Sequence, residues 1–334
     1  MQYLADENRY SHMQFSPCGD SGLRLPRVSL GLWHNFGKTG NYETMRAICT
    51  TAFNNGITYF DLANNYGPDP GDAEENFGRI LQQDLKPYRD ELVISTKAGF
   101  TMWAGPYGRG GSRKHLLASL DQSLRRMGLD YVDIFYHHCP DEQTPLEESM
   151  MALSDAVKSG KALYAGISNY NRSETEHAMQ LLRQMRCPFV VNQSCYSLFD
   201  RQIETDGLMQ YTLQNGCGLV AYMPLAQGLL TDRYLYGIPT DSRIRTDSRF
   251  LKQQMLTPQR LAQIRALDAI AQQRGQRLSQ MALSWLLSDG TVTSVLIGAS
   301  KPEQIQENVK CLEHLSFTQE ELEQIDRIAP APIF

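Results

Sequence analysis

The chain has 334 residues, 42% of them hydrophobic and 21% charged, and a formal net charge of −5 at pH 7. These proportions exclude a disordered, collagenous or disulfide-scaffold chain, and the length leaves one large domain or two. Mild acidity without a Lys/Arg block argues against a nucleic-acid or anionic-membrane partner, and no apolar run approaches the roughly 18 residues of a membrane helix.

The first residues, MQYLADENRYSHMQF, carry Asp6 and Glu7 and no apolar stretch, unlike a secretory signal. Residues 15–30 (FSPCGDSGLRLPRVSL) read as a β-hairpin. Strand-like apolar or β-branched runs then follow at 28–32, 58–62, 92–96, 132–136, 162–167, 189–192, 219–223 and 295–297. Helix-like segments lie between them at 43–55, 73–83, 113–127, 146–159, 173–185, 258–274 and 302–312. In one, Leu116, Leu117, Leu120, Leu124 and Met127 keep the spacing of an amphipathic helix. Gly56, Gly128, Gly160 and Gly216 follow helical or apolar segments as C-terminal caps would. Thr318 to Glu321 forms a capping-box pattern for a last helix over 317–328.

This alternation predicts an α/β fold with a mainly parallel sheet, and its eight strands suggest a closed (β/α)8 TIM barrel. The barrel spans 1–334 as a single domain, with a hairpin before it and an extra helix after it. A doubly wound open sheet is the rival. A dinucleotide-binding unit of that kind carries GxGxxG after its first strand, and neither that motif nor a Walker phosphate loop is present. The stretch 231–257, within a longer loop of about 225–257, is long and low in apolar content. It reads as a lid over the barrel mouth. The seven cysteines are odd in number and contain no CxxC pair. They fit reduced thiols in a cytoplasmic protein, with no metal site.

Active sites of such barrels lie where strands end. Strand two runs into Asp61 and Tyr66, strand three into Lys97, strand four into His137 and His138. Singly, an Asp–Lys pair is ordinarily a structural ion pair, and a rim Tyr or His ordinarily packs. Four such residue types on three consecutive strand ends facing one mouth point to chemistry instead. A Lys ammonium beside a Tyr favours tyrosinate and lowers the phenol pKa, a carboxylate keeps the Lys charged, and a His orients a carbonyl oxygen. The set describes a general acid for a carbonyl.

The motifs DLANNYG, STKAG, VDIFYHHCP, GISNY, VAYMPLAQGLLT and IGASKPEQIQEN, in that order, resemble those of the aldo-keto reductases over nearly the whole chain. The similarity is strongest to the branch holding the potassium-channel β subunits and, within it, the bacterial glyceraldehyde 3-phosphate reductases. The resemblance implies hydride transfer from NADPH, with NADH disfavoured, to a small aldehyde. L-glyceraldehyde 3-phosphate comes first, then methylglyoxal-like carbonyls. It implies a catalytic tetrad of Asp61, Tyr66, Lys97 and His138. The histidine is chosen because the family motif places it five residues after Asp133 and two before Pro140. Channel β subunits carry an Asn-like residue there, so the His favours an active reductase over a redox-sensing regulatory subunit, the alternative reading.

The resemblance also implies the cofactor positions. Ser168, Asn169 and Gln193 would hold the carboxamide, and Tyr222 would stack on the nicotinamide. Pro224, Leu225, Gln227 and Gly228 would follow the pyrophosphate, with Trp33 nearby. Ser300, Gln304, Glu307 and Asn308 would take the adenine–ribose end. Gly298 and Gln304 stand where many relatives have the Lys and Arg that bind the 2′-phosphate. Arg243, with Arg233 and Lys301 as weaker candidates, would replace them. In the Gly- and aromatic-rich loop 100–112, Trp103 and Tyr107, with Trp33, would wall the substrate pocket. Arg109, Arg113 or Lys114 would meet a substrate phosphate. Relatives in this branch imply a homo-oligomer, a tetramer or larger.

Overall fold

The structure, a computed structural model, describes residues 3–332 except 68, 241 and 247–250, and leaves the side chains of 243 and 246 outside the description. The chain opens with an antiparallel hairpin, β1 (Phe15–Pro17) and β2 (Arg24–Pro26). The barrel follows as β3 (Val28–Gly31), α1 (Tyr42–Asn54), β4 (Tyr59–Asp61), α2 (Asp72–Ile80), β5 (Val93–Ala98), α3 (Arg113–Met127), β6 (Val132–His137) and α4 (Leu146–Lys158). It continues as β7 (Ala162–Ser168), α5 (Arg172–Gln184), β8 (Phe189–Cys195), α6 (Gln202–Thr205), α7 (Leu208–Gln214) and β9 (Gly218–Tyr222). The last elements are α8 (Arg243–Thr246), α9 (Pro258–Gln273), α10 (Leu278–Leu287), β10 (Ser294–Ile297), α11 (Pro302–Val309) and α12 (Gln319–Ile328).

The strands β3 to β10 close into one parallel barrel, sealed where β10 pairs β3 with Val295 opposite Val28. Closure removes the open-sheet alternative. The hairpin plugs the floor: Cys18 and Leu25 are fully buried against Tyr59, Val93, Ile134, Val191 and Val220 of the barrel interior.

Local chemistry sets the helix ends. Ser112 caps α3 by accepting from the His115 amide, and Gly128, at φ +65°, terminates it. The buried stripe Leu116, Leu120, Leu124 and Met127 faces the barrel, each side chain contributing about 2 kcal/mol of burial. Thr318 and Glu321 form the expected capping box on α12.

Four features depart from the pattern. β5 and β8 run further than the sequence suggests, so Lys97 and Gln193 lie within strands, where the pleat fixes their direction. α10 has no sequence signature because all its residues are buried and no polar face remains to give it a period. The connection between β8 and β9 breaks at Gly207 (φ +80°) into α6 and α7. The described residues of 231–257 include short helical turns and bury Tyr234, Leu235, Ile244 and Leu251 in the core, which fastens them at several points.

Candidate active site

β4, β5 and β6 deliver the tetrad to one mouth. Lys97, without solvent exposure, places Nζ 2.5 Å from Asp61 Oδ2, 2.7 Å from the Leu62 carbonyl and 3.3 Å from Tyr66 Oη. The His138 ring meets the Tyr66 ring edge-on at 5.8 Å and the Phe100 ring edge-on at 4.5 Å. His137 turns away, sharing a 2.5 Å hydrogen bond through Nδ1 with Tyr170 Oη. Strand alternation therefore separates the two neighbouring histidines, and only His138 faces Tyr66.

One electrostatic expectation is corrected. Lys97 does not leave Tyr66 with a lowered pKa: burial, reinforced by the Asp61 and Tyr222 charges, holds the phenol well above its ordinary range. The Lys97 ammonium is itself paired with Asp61 Oδ2 at 2.5 Å. Burial likewise lowers the Lys97 pKa, with Asp61 opposing, and pushes His138 well below its usual range, with Lys97 and His137 adding to the effect. The site thus presents a protonated phenol, a neutral imidazole and a lysine held at the phenol oxygen, which are the groups needed to protonate a carbonyl oxygen.

Around this centre, Ser168 Oγ donates to the Gln193 carbonyl at 2.9 Å, and Asn169 Nδ2 to the His138 carbonyl at 2.9 Å. Tyr222 Oη donates to Asn169 Oδ1 at 2.6 Å. Gln193 Nε2 is turned inward and donates to Asp61 Oδ1 at 2.9 Å. Past β9 and the buried Pro224 and half-buried Leu225, the backbone is left-handed at Met223, Ala226, Gln227 and Gly228 (φ +54°, +46°, +59° and +96°). Three of these are not glycine, a cost of about 1–3 kcal/mol each that clusters at ligand clamps. Gln227 Oε1 is buried there with no hydrogen-bond partner among the described residues. A strained turn and an orphaned acceptor beside Tyr222 fit a polar cofactor lying along the end of β9.

The start of α11 is less open. Gln304 Oε1 accepts from the Ser300 amide at 2.7 Å, and Glu307 pairs with Arg277 at 3.3 Å, while Asn308 is buried and Gly298 has no side chain to add. Arg277 also reaches Asp232 at 3.9 Å, which links the turn bearing Arg233 to α11. Lys301 stands at the N-cap position of α11 without a side-chain capping bond, and the side chain of Arg243 lies outside the described residues.

The loop 100–112 is only partly as expected. Trp33 lies beside Tyr66 in the fold, its carbonyl accepting from the Gly67 amide at 3.2 Å. Trp103 packs on His115 at 5.3 Å, and the Tyr107 carbonyl accepts from His115 Nδ1 at 2.9 Å, so both are tied to the first turn of α3. All three cations are exposed, but Arg113 is committed to Asp155 and Lys114 lies over the Tyr107 ring, whereas Arg109 forms no ion pair among the described residues. Burial raises the Cys139 thiol pKa, with Arg109 opposing, which holds the thiol next to His138 in its protonated form. Among the described residues no group of three acidic, His or Cys side chains is arranged to hold a metal.

Two sets of residues with a bearing on the site were not singled out in the sequence. Tyr59, Ser95 and Tyr136 line the barrel beneath the tetrad, and Asp141 binds the loop 100–112. The first set stands two residues before Asp61, Lys97 and His138, a period-two signal that was available.

This closed (β/α)8 barrel, with the four side chains at its mouth, is that of an oxidoreductase. The chain belongs to the aldo/keto reductase family, whose model matches residues 27–330. It is 58% identical over 330 residues to the L-glyceraldehyde 3-phosphate reductase of Escherichia coli K12, covering 98% of this chain and 95% of that one. It is 35% identical over 320 residues to a probable voltage-gated potassium channel subunit beta of Oryza sativa subsp. japonica, covering 95% of both. Its fold matches the crystal structure of the thermostable aldo-keto reductase Tm1743 in complex with the inhibitor epalrestat. There the TM-score is 0.75 and the identity 29%, covering 95% of this chain and all of that one.

Proposed function

We propose that the protein is an NADPH-dependent reductase of small aldehydes, with L-glyceraldehyde 3-phosphate its first substrate and methylglyoxal-like carbonyls after it. The observation that carries this reading is the placement of Lys97 Nζ 3.3 Å from the hydroxyl of a protonated Tyr66, with the neutral His138 ring at its edge. The substrate assignment draws on the relative that is 58% identical.

A bound nicotinamide would supply the hydride. The Ser168, Asn169, Gln193 and Tyr222 cluster would seat its ring, and the strained turn at Ala226–Gly228 would take the phosphates. The Ser300, Gln304, Glu307 and Asn308 face would take the adenosine end, and Arg243 or Arg233 would favour a 2′-phosphate. In this reading Tyr66 donates its proton to the carbonyl oxygen. Lys97 stabilises the phenolate that remains, Asp61 keeps Lys97 in place, and His138 orients the carbonyl. The catalytic gain comes from positioning and from charge placed where the alkoxide and phenolate develop.

The test is steady-state oxidation of NADPH, against NADH, by purified protein with phosphorylated and unphosphorylated aldehydes. Tyr66→Phe is expected to reduce turnover by about 10²-fold or more, the scale of a lost general acid, while NADPH still binds. Full turnover in that variant would falsify the acid assignment. Tight NADPH binding by the unmodified protein with no reduction of any aldehyde would favour a redox-sensing subunit.

A further inference from the structure

The interior of a (β/α)8 barrel is normally filled by layers of Val, Ile and Leu. Here two tyrosines and a serine occupy the layer beneath the mouth. Tyr59 on β4, Ser95 on β5 and Tyr136 on β6 each precede a tetrad residue by two positions, so the strand period sets them on the same inward face. All three are without solvent exposure.

Their hydroxyls are not placed at random. Ser95 Oγ donates to Asp61 Oδ1 at 2.8 Å and Tyr59 Oη donates to the same oxygen at 3.1 Å, joining Gln193 Nε2 at 2.9 Å. Tyr136 Oη stands 2.9 Å from Tyr59 Oη. A phenol has one proton to give. With that of Tyr59 spent on Asp61, the bond between the two phenols runs from Tyr136 to Tyr59. The result is a directed chain, Tyr136 to Tyr59 to Asp61, in which each bond strengthens the next.

The fold gives up something for this arrangement. A Cβ on Gly166 of β7 would lie 2.6 Å from the Tyr136 ring, so that strand forgoes a side chain to seat the phenol. Buried hydroxyls are also a liability unless every one is bonded.

The geometry shows what the network does. Three donors on Oδ1 fix the plane of the Asp61 carboxylate, which leaves Oδ2 aimed at Lys97 Nζ at 2.5 Å. Nζ, caught between that oxygen and the Leu62 carbonyl, is thereby set at the Tyr66 hydroxyl. We propose that Tyr59 and Ser95, with Tyr136 behind Tyr59, are positioning residues that fix the Asp61 carboxylate so that Lys97 stands at the Tyr66 oxygen. The proposal rests on the tetrad reading given above. None of the three is assigned contact with substrate or cofactor. Their loss therefore weakens an interaction that matters as Tyr66 gives up its proton, and it lowers kcat without raising KM.

The experiment compares Tyr59→Phe, Ser95→Ala and their double variant with the parent protein and Tyr66→Phe. It measures kcat and KM for the aldehyde, the NADPH dissociation constant by fluorescence, and the thermal midpoint. Each single variant is expected to lose about three- to tenfold in kcat and the double more than tenfold, the scale of one or two hydrogen bonds. KM and the NADPH constant should stay within about twofold of the parent. A double variant whose kcat is unchanged while its thermal midpoint falls overturns the proposal, because the hydroxyls would then serve barrel stability alone. A rise in KM or loss of NADPH binding at unchanged kcat overturns it too. Should the double variant fail to fold, Tyr59→Phe, which keeps the ring and its packing, decides by the same kcat-against-KM split. If Tyr66→Phe retains turnover, the tetrad reading fails and this proposal with it. If Tyr66→Phe is inactive and Tyr59→Phe and Ser95→Ala are normal, this proposal alone fails.

Discussion

At Tyr66, burial and the Lys97 ammonium pull the phenolic proton in opposite directions, and burial wins. A buried phenol beside a paired lysine keeps its proton through the neutral range, which is the form the proposed reading requires of Tyr66. Asp61, Tyr66, Lys97 and His138 stood out as candidates because polar groups at consecutive strand ends are unusual, and the structure brings the four together. The strand period points two residues back to Tyr59, Ser95 and Tyr136, but Tyr is an ordinary strand former and a hydroxyl in a strand gives no sign of its partner. Arg109 is the residue to test for phosphate recognition, as Arg113 is held by Asp155 and Arg109 is exposed and close enough to Cys139 to oppose its raised pKa. Arg109→Ala is expected to raise KM for a phosphorylated aldehyde about tenfold or more, the scale of one charge-assisted bond, and to leave the unphosphorylated aldehyde unaffected. Equal effects on the two substrates would remove Arg109 from that role.

The elements that carry the site are better ordered than their sequence suggests. The loop between β5 and α3 holds several glycines and reads as loose, yet its end is fastened by Asp141, from the loop after β6. Asp141 Oδ2 accepts from the Gly111 amide at 2.7 Å and from Thr144 Oγ1 at 2.6 Å. Ser149 Oγ donates to the Gly111 carbonyl at 2.8 Å, and a Cβ on Gly111 would lie 2.8 Å from the His137 ring, so the backbone passes flush against β6 and α4. Burial alone would raise the Asp141 carboxyl, but bonds from Thr144, Gly111 and Gln143 bring it below its ordinary range. No sequence signal pairs Asp141 with Gly111, since the contact spans two different βα loops. Asp141→Ala is expected to release the loop, raising KM for the aldehyde about five- to twentyfold, as loss of one or two charge-assisted bonds implies, with a smaller change in kcat. Limited proteolysis followed by mass spectrometry should show new cleavage within 100–112. An unchanged KM with no new cleavage would mean that the loop is held by other contacts. The helices show the converse limit. α3 was legible from its stripe and caps, whereas α10, apolar on every side, was not.

At the scale of the molecule, eight strand runs in sequence were enough to anticipate one barrel, because alternation with helices leaves few topologies. They were not enough to show what the barrel buries. His137 is pushed down to about 4 by burial, with His115 adding to the effect against Asp141. His138 lies well below its usual range and His115 is lowered too, each chiefly by burial. Each ring is neutral in the folded protein and takes up a proton on unfolding once the pH falls below its unfolded value of about 6.5. The unfolded state then binds more protons, so stability is fully present above about pH 6.5 and drains away as the pH falls. For His137 the window runs from 6.5 down to about 4 and corresponds to about 3 kcal/mol. Carboxylates with lowered values, such as Asp141, Glu91 and Glu321, act in the same direction but below their ordinary range of about 4, so the interval from 6.5 to about 5 belongs to the histidines. The expected observation is a urea midpoint that falls steadily from pH 7 to pH 5. In His137→Gln, whose amide can still bond Tyr170 but cannot be protonated, the fall should be shallower by close to one bound proton. A slope identical to the parent's would show that His137 gains no proton on unfolding, and the acid sensitivity would then have to come from His138 and His115.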